Sequence, residues 1–180
     1  MTIPEDFLFP ELRQLWLGRN KLTTVPPSVF QLPKLEALSL SSNQLTALPE
    51  AIDMLALKKL HLGRNKLFRV PDALFRIQTL EELILHENQL TELPEAIDMP
   101  ALRKLDLHWN KLSRVPDALV RIQTLEVLKL DRNQLTGLPE AIDLPALKTW
   151  RLDDNKLSRI PDALFRIRTL EVLHLSWNLL

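Results

Sequence analysis

An asparagine returns at positions 20, 43, 65, 88, 110, 133, 155 and 178, at steps that alternate between 23 and 22 residues. Each sits in the same frame of leucines: Leu12, Leu15, Leu17, Asn20 and Leu22 set a spacing that Leu102, Leu105, Leu107, Asn110 and Leu112 repeat. A fixed period of this length means stacked repeats, because one such unit cannot bury its apolar face alone. The paired steps give a longer period of 45 residues, so Leu45, Leu90, Leu135 and Leu180 are equivalent and the chain divides into four units of two repeats.

The L-x-L segment alternates apolar and polar residues, the period of a half-buried strand. It is too short to stand alone and can pair only with its copies. The pairing must be parallel, because the chain comes back to the same edge each time. Val25, Leu48, Val70, Leu93, Val115, Leu138 and Ile160, each before a proline, carry the core round the bend. The longer return, as in Pro71-Asp72-Ala73-Leu74-Phe75-Arg76-Ile77, predicts one or two helical turns with a carboxylate at their start. In the shorter return Pro100 and Pro145 stop a helix early. The asparagine falls where the chain leaves the strand and turns inward. Its amide can donate to and accept from backbone groups left unpaired there, a structural role.

The frame resembles the leucine-rich repeat family, with its pattern LxxLxLxxNxLxxLPxxLxxLxx. Repeats begin at Leu12, Leu35, Leu57, Leu80, Leu102, Leu125, Leu147 and Leu170, and residues 1–11 read as the second half of an earlier repeat in one domain spanning 1–180. The resemblance implies an α/β solenoid, a horseshoe with a parallel concave sheet and short helical, 3₁₀ or extended returns. It also implies protein binding through the concave side, without a named partner. Trp150 stands where a strand leucine is usual and is expected to point inward. The usual end caps are absent.

The 23 basic and 23 acidic residues cancel, so nothing draws the chain generally to nucleic acid or an anionic membrane. No stretch is long and apolar enough to span a bilayer. The first residues lack the pattern of a signal peptide, no asparagine is a glycosylation acceptor, and there is no cysteine. A cytoplasmic location is the expectation. Tyrosine, common in binding surfaces, is absent. No phosphate loop, metalloprotease helix or nucleophile-base-acid motif occurs, so no catalytic residues are assigned.

Comparing units shows where the chain differs from itself. Four positions in each repeat should face the concave side: those flanking the central strand leucine and the two before asparagine. Between residues 46–90 and 91–135 there are 12 differences, seven of them among the eight concave positions. Between 91–135 and 136–180 seven again fall in those eight, and eight in the remaining 37. Exposed return positions such as Glu95/Glu140, Asp117/Asp162 and Arg121/Arg166 do not change. The contrast points to a diversified recognition face; drift on a recently duplicated scaffold is the alternative.

On that face the candidate partner-binding residues are Trp16, His61, Ile84, His86, Asp106, His108, Trp109, Lys129, Arg151 and Trp177. Tryptophan is enriched at binding hot spots. Adjacent strands lie roughly 4.8 Å apart, so Ile84, His86, Asp106, His108 and Trp109 should form one central patch. His86 and His108 share a column, with His61 diagonal to them, an arrangement able to hold zinc or nickel if other groups support it. None is evident in the sequence, so no metal or cofactor is assigned. Asp131, Asp153 and Asp154 suit calcium, but Arg132, Lys129 and Arg151 lie close enough to pair with them instead. Seven basic concave residues against six acidic ones argue against nucleic acid.

The ends support a second reading. Leu170, Leu173, Leu175 and Leu180 complete an apolar set in the last repeat, and Leu179 replaces the glutamine of Gln44, Gln89 and Gln134. The first repeat is entered through Phe7, Leu8 and Phe9. Apolar faces with unpaired strand edges invite self-association, as a ring, a filament or a twofold dimer. Such a chain would be a self-assembling module, engineered or cut from a longer array.

Overall fold

The computed structural model of the chain describes residues 3–180; Met1 and Thr2, which open the half repeat 1–11, lie outside the described residues. Eight three-residue strands form one parallel sheet in chain order: β1 (Gln14–Trp16), β2 (Ala37–Ser39), β3 (Lys59–His61), β4 (Glu82–Ile84), β5 (Lys104–Asp106), β6 (Val127–Lys129), β7 (Thr149–Arg151) and β8 (Val172–His174). The sequence period sets the register, so Leu15, Leu38, Leu60, Leu83, Leu105, Leu128, Trp150 and Leu173 align in one column. This is the expected parallel repeat solenoid. Its core is continuous behind the sheet, and Trp150 is fully buried in it, as its place in the leucine column requires.

The asparagines form the predicted ladder. Asn110 Nδ2 donates to the carbonyls of Leu107 in its own repeat and Leu85 in the one before, both at 3.0 Å. Its Oδ1 accepts the N–H of Leu90 at 3.0 Å. Asn43, Asn65, Asn88, Asn133, Asn155 and Asn178 repeat the set. Each amide thus satisfies buried backbone groups of two turns at once.

The bend has a feature the sequence does not announce. The residue before every asparagine is left-handed: Arg19, Ser42, Arg64, Glu87, Trp109, Arg132, Asp154 and Trp177 have φ between 52° and 58°, and none is glycine. The repeat geometry overrides a conformational cost of about 1 kcal/mol at each.

The long returns carry 3₁₀ segments at Pro27–Gln31, Asp72–Arg76, Leu119–Arg121 and Leu164–Arg166, and the short returns hold no helical segment. The expected carboxylate stands at the start of Asp72–Arg76 but makes no capping hydrogen bond. Pro71 holds the capping position before Asp72–Arg76, and Asp72 falls inside the first turn with no capping side-chain bond. Polar side chains tie return to return. Thr79, Thr124 and Thr169 each donate to the carbonyl of Leu57, Leu102 and Leu147 at 2.8 Å. Gln78 and Gln123 donate to the backbone and carboxylate of Asp98 and Asp143. Glu50, Glu95 and Glu140 pair with Arg69, Arg114 and Arg159.

Candidate functional site

Every strand turns its central residue into the core, so the two flanking residues face the concave side. The two residues before asparagine extend this face, and the left-handed bend lifts the second of them toward solvent. Trp109 is 54% exposed and Trp177 84%.

Because strands repeat in register, charges on neighbouring strands meet in groups. Lys104 Nζ lies 2.8 Å from Glu82 Oε1, and His61 Nε2 lies 3.6 Å from the same oxygen. One strand on, Asp106 is buried and receives His108 Nδ1 at 2.6 Å and Lys129 Nζ at 3.3 Å. Further along, Arg151 Nε sits 3.6 Å from both Asp131 and Asp153, and His174 Nδ1 lies 3.4 Å from Asp153. Arg132 reaches Asp154 at 4.0 Å. Asp131, Asp153 and Asp154 thus pair with Arg151 and Arg132 as expected, whereas Lys129 pairs with Asp106.

Burial raises the Asp106 pKa, but the hydrogen bond from His108, the charge on that ring and Lys129 outweigh it and hold the carboxyl at about 2. Desolvation lowers the pKa of His86, and its neighbour His108 adds to the effect against the pull of Asp106 and Glu87.

The central patch exists, with more depth than strand columns convey. His86 stacks on His108 at a centroid distance of 4.7 Å and an interplanar angle of 13°. Trp109 lies under the Arg132 guanidinium, 4.8 Å from its ring centre. Ile84 and Asp106, however, are buried floor, so His86, His108 and Trp109 form the part open to solvent. Trp16 is exposed on β1 with His61 edge-on at 6.4 Å. Lys129 and Arg151 are engaged in the ion pairs above. Trp177 stands at the far end, beside a shallow hollow lined by Asp131, Arg151 and Asp153. The other concave hollow, lined by Trp16, Arg19, Ser39, Ser42 and Arg64, opens over β2, where side chains are small. A hollow also occurs between the returns, around Met99, Pro100 and Ile122.

Glu82 and Glu87 are concave positions outside the candidate set, and Arg132 figured only as a partner for the three aspartates. Strand register was the available signal for Glu82, which stands opposite Lys104. Nothing in the sequence indicates that Glu87 reaches Arg64, at 2.9 Å, or that Arg132 covers Trp109.

At the ends, Phe7 packs against Phe9 at 4.7 Å, and Leu8 and Phe9 are exposed. Leu170, Leu173 and Leu175 are only partly buried, whereas Leu80, Leu83 and Leu85 are fully buried. Leu179 and Leu180 are exposed. Among the described residues β1 and β8 each pair on one side alone.

The family model described as leucine rich repeat matches residues 10–67, 55–112 and 123–180. A search of the curated proteins finds no match. Among solved structures, a leucine-rich repeat protein of Leptospira interrogans shares 32% identity at a TM-score of 0.71, covering 93% of this chain and 49% of its own. The plant peptide hormone receptor RGFR1, in complex with RGF2, shares 28% at a TM-score of 0.88, covering 98% and 30%. TLR13, in complex with ssRNA13, shares 26% at a TM-score of 0.80, covering 94% and 25%. The chain therefore spans half or less of these structures' own length.

Proposed function

The chain belongs to the leucine-rich repeat family, and on that premise we propose that it is a non-catalytic scaffold that takes a protein partner on its concave sheet. The carrying observation is Trp109. A large aromatic stands half-exposed in the middle of the face, backed by the Arg132 guanidinium and flanked by the stacked His86 and His108. Such an anchor is pre-ordered, so a partner meets it at little entropic cost.

Charge separates the two partner classes seen among the similar structures. Arg64, Lys104, Lys129, Arg132 and Arg151 are all paired with carboxylates of the same face. A phosphate backbone would have to displace those carboxylates before gaining contacts, whereas a mixed polar and apolar protein surface would not. Against catalysis stands the shallow, solvent-facing shape of the concave side, since most reactions need water excluded. No helix among the described residues is long and apolar enough to cross a membrane. The proposal places the scaffold in the cytoplasm, where a chain without cysteine needs no oxidising environment.

The test is comparative capture with the wild-type chain and a His108→Ala/Trp109→Ala variant of unchanged circular dichroism. Proteins retained by the first and lost from the second are expected. Equal retention by both would sink the concave reading.

A second reading is self-association through the terminal repeats, where Leu173 and Leu175 are partly buried and Leu179 and Leu180 exposed. Light scattering across concentrations tests it. A defined multiple of 20.8 kDa that Leu179→Glu returns to monomer is expected, and a monomer throughout rejects it.

A further inference from the structure

His86, Glu87 and His108 converge on the concave face. One ligand atom from each lies within 4.8 Å of the other two. His86 Nδ1 is shielded from solvent and has no hydrogen-bond partner, although Glu87 Oε1 stands 3.5 Å away. A buried polar atom left unpaired calls for a missing partner such as water or an ion. Asp106 fixes the His108 ring from behind. Asp106 engages its Nδ1 at 2.6 Å, which leaves Nε2 with its lone pair when the ring is neutral. A carboxylate behind a histidine in this way is the usual support of a metal-bound imidazole, fixing its tautomer and raising its basicity. Gly63 provides the space: a Cβ there would stand 2.6 Å from His86 Nε2, so the His86 ring occupies room that only glycine leaves.

We propose that His86, Glu87 and His108 form a site for a zinc-class divalent transition-metal ion, supported from behind by Asp106. The proposal is independent of the recognition reading. Two imidazoles and one carboxylate suit zinc, nickel or cobalt and offer too few oxygens for calcium or magnesium. Three protein ligands leave coordination positions open toward the concave space. His61, grouped with the other two histidines on column geometry, is replaced by Glu87, because His61 faces Glu82 on the neighbouring strands. Two rearrangements accompany binding. The stacked rings fan apart so that their in-plane lone pairs converge. Glu87 also turns from Arg64, whose side chain is 61% exposed, and a pair so open to water holds it weakly.

The experiment is calorimetric titration of metal-free protein with zinc chloride, repeated with cobalt chloride to read the visible absorption of an imidazole-bound ion. One equivalent is expected. His86→Ala and His108→Ala should each weaken binding at least about tenfold, and Asp106→Asn, a positioning change, by about 10- to 100-fold. His61→Ala and His174→Ala should leave it unchanged. Thermal melts without metal confirm that each variant is folded. Absence of saturable binding to the wild type, or binding that survives His86→Ala and His108→Ala intact, overturns the proposal.

Discussion

The convex returns and the concave sheet are both rich in exposed charge, yet they are ordered differently. On the returns the same pair recurs in each unit: Glu50 with Arg69, Glu95 with Arg114, Glu140 with Arg159. Thr79, Thr124 and Thr169 likewise repeat one bond. On the sheet the partners change from turn to turn: Lys104 with Glu82, Lys129 with Asp106, Arg151 with Asp131 and Asp153. Constancy on the returns therefore has a mechanical reason, because those residues tie one turn to the next. Fixed returns beside varied strands do not by themselves establish selection for binding. What distinguishes the sheet is that it exposes tryptophans, Trp16 and Trp109, where the returns expose Phe68 and Phe165.

Both faces hang on one frame, and the largest effect is expected there. Trp150→Ala should cost about 3–5 kcal/mol in denaturant unfolding, since a fully buried indole leaves a cavity. A much smaller loss would mean that the last unit does not fold cooperatively with the rest. Asn110→Ala removes the partner of the Leu90 N–H and of two carbonyls, and about 3 kcal/mol should be lost. An equal loss for Asn20→Ala would argue against the ladder, because among the described residues Asn20 donates to Leu17 and Gly18 of its own repeat and to no other turn.

On the sheet itself, Asp106 supplies a pH signature. Its pKa is depressed from 3.8 to about 2, so its contribution is present above the unfolded value and is lost as pH falls through the folded one. Stability should decline by about 2 kcal/mol between roughly pH 4 and pH 2 on this account, and Asp106→Asn should flatten that part of the profile. An unchanged slope in the variant would assign the loss to other carboxylates. The smallest effect belongs to the returns. A double-mutant cycle on Glu95 and Arg114 should give under about 1 kcal/mol, as for other exposed pairs. A coupling well above that would make the returns, rather than the sheet, the more demanding surface.

Much of this was legible in the chain. The leucine and asparagine period placed the strands, their parallel order and the inward direction of Trp150, because each is a property of one repeat copied at a fixed step. The site was legible only as columns. His86 and His108 could be placed side by side by counting, and so could Glu82 and Lys104. Counting did not show that Ile84 and Asp106 form the floor of the face, or that Glu87 rather than His61 approaches the histidine pair. Nor did it show the left-handed residue before each asparagine, because Arg19, Ser42, Glu87 and Trp109 carry no mark of it. The sequence by itself determined the frame, since spacing along one chain dictates which residues a stack must bury. Only the tertiary structure decided the surface chemistry. Side-chain reach and the left-handed bend before asparagine settle which groups on neighbouring turns actually meet.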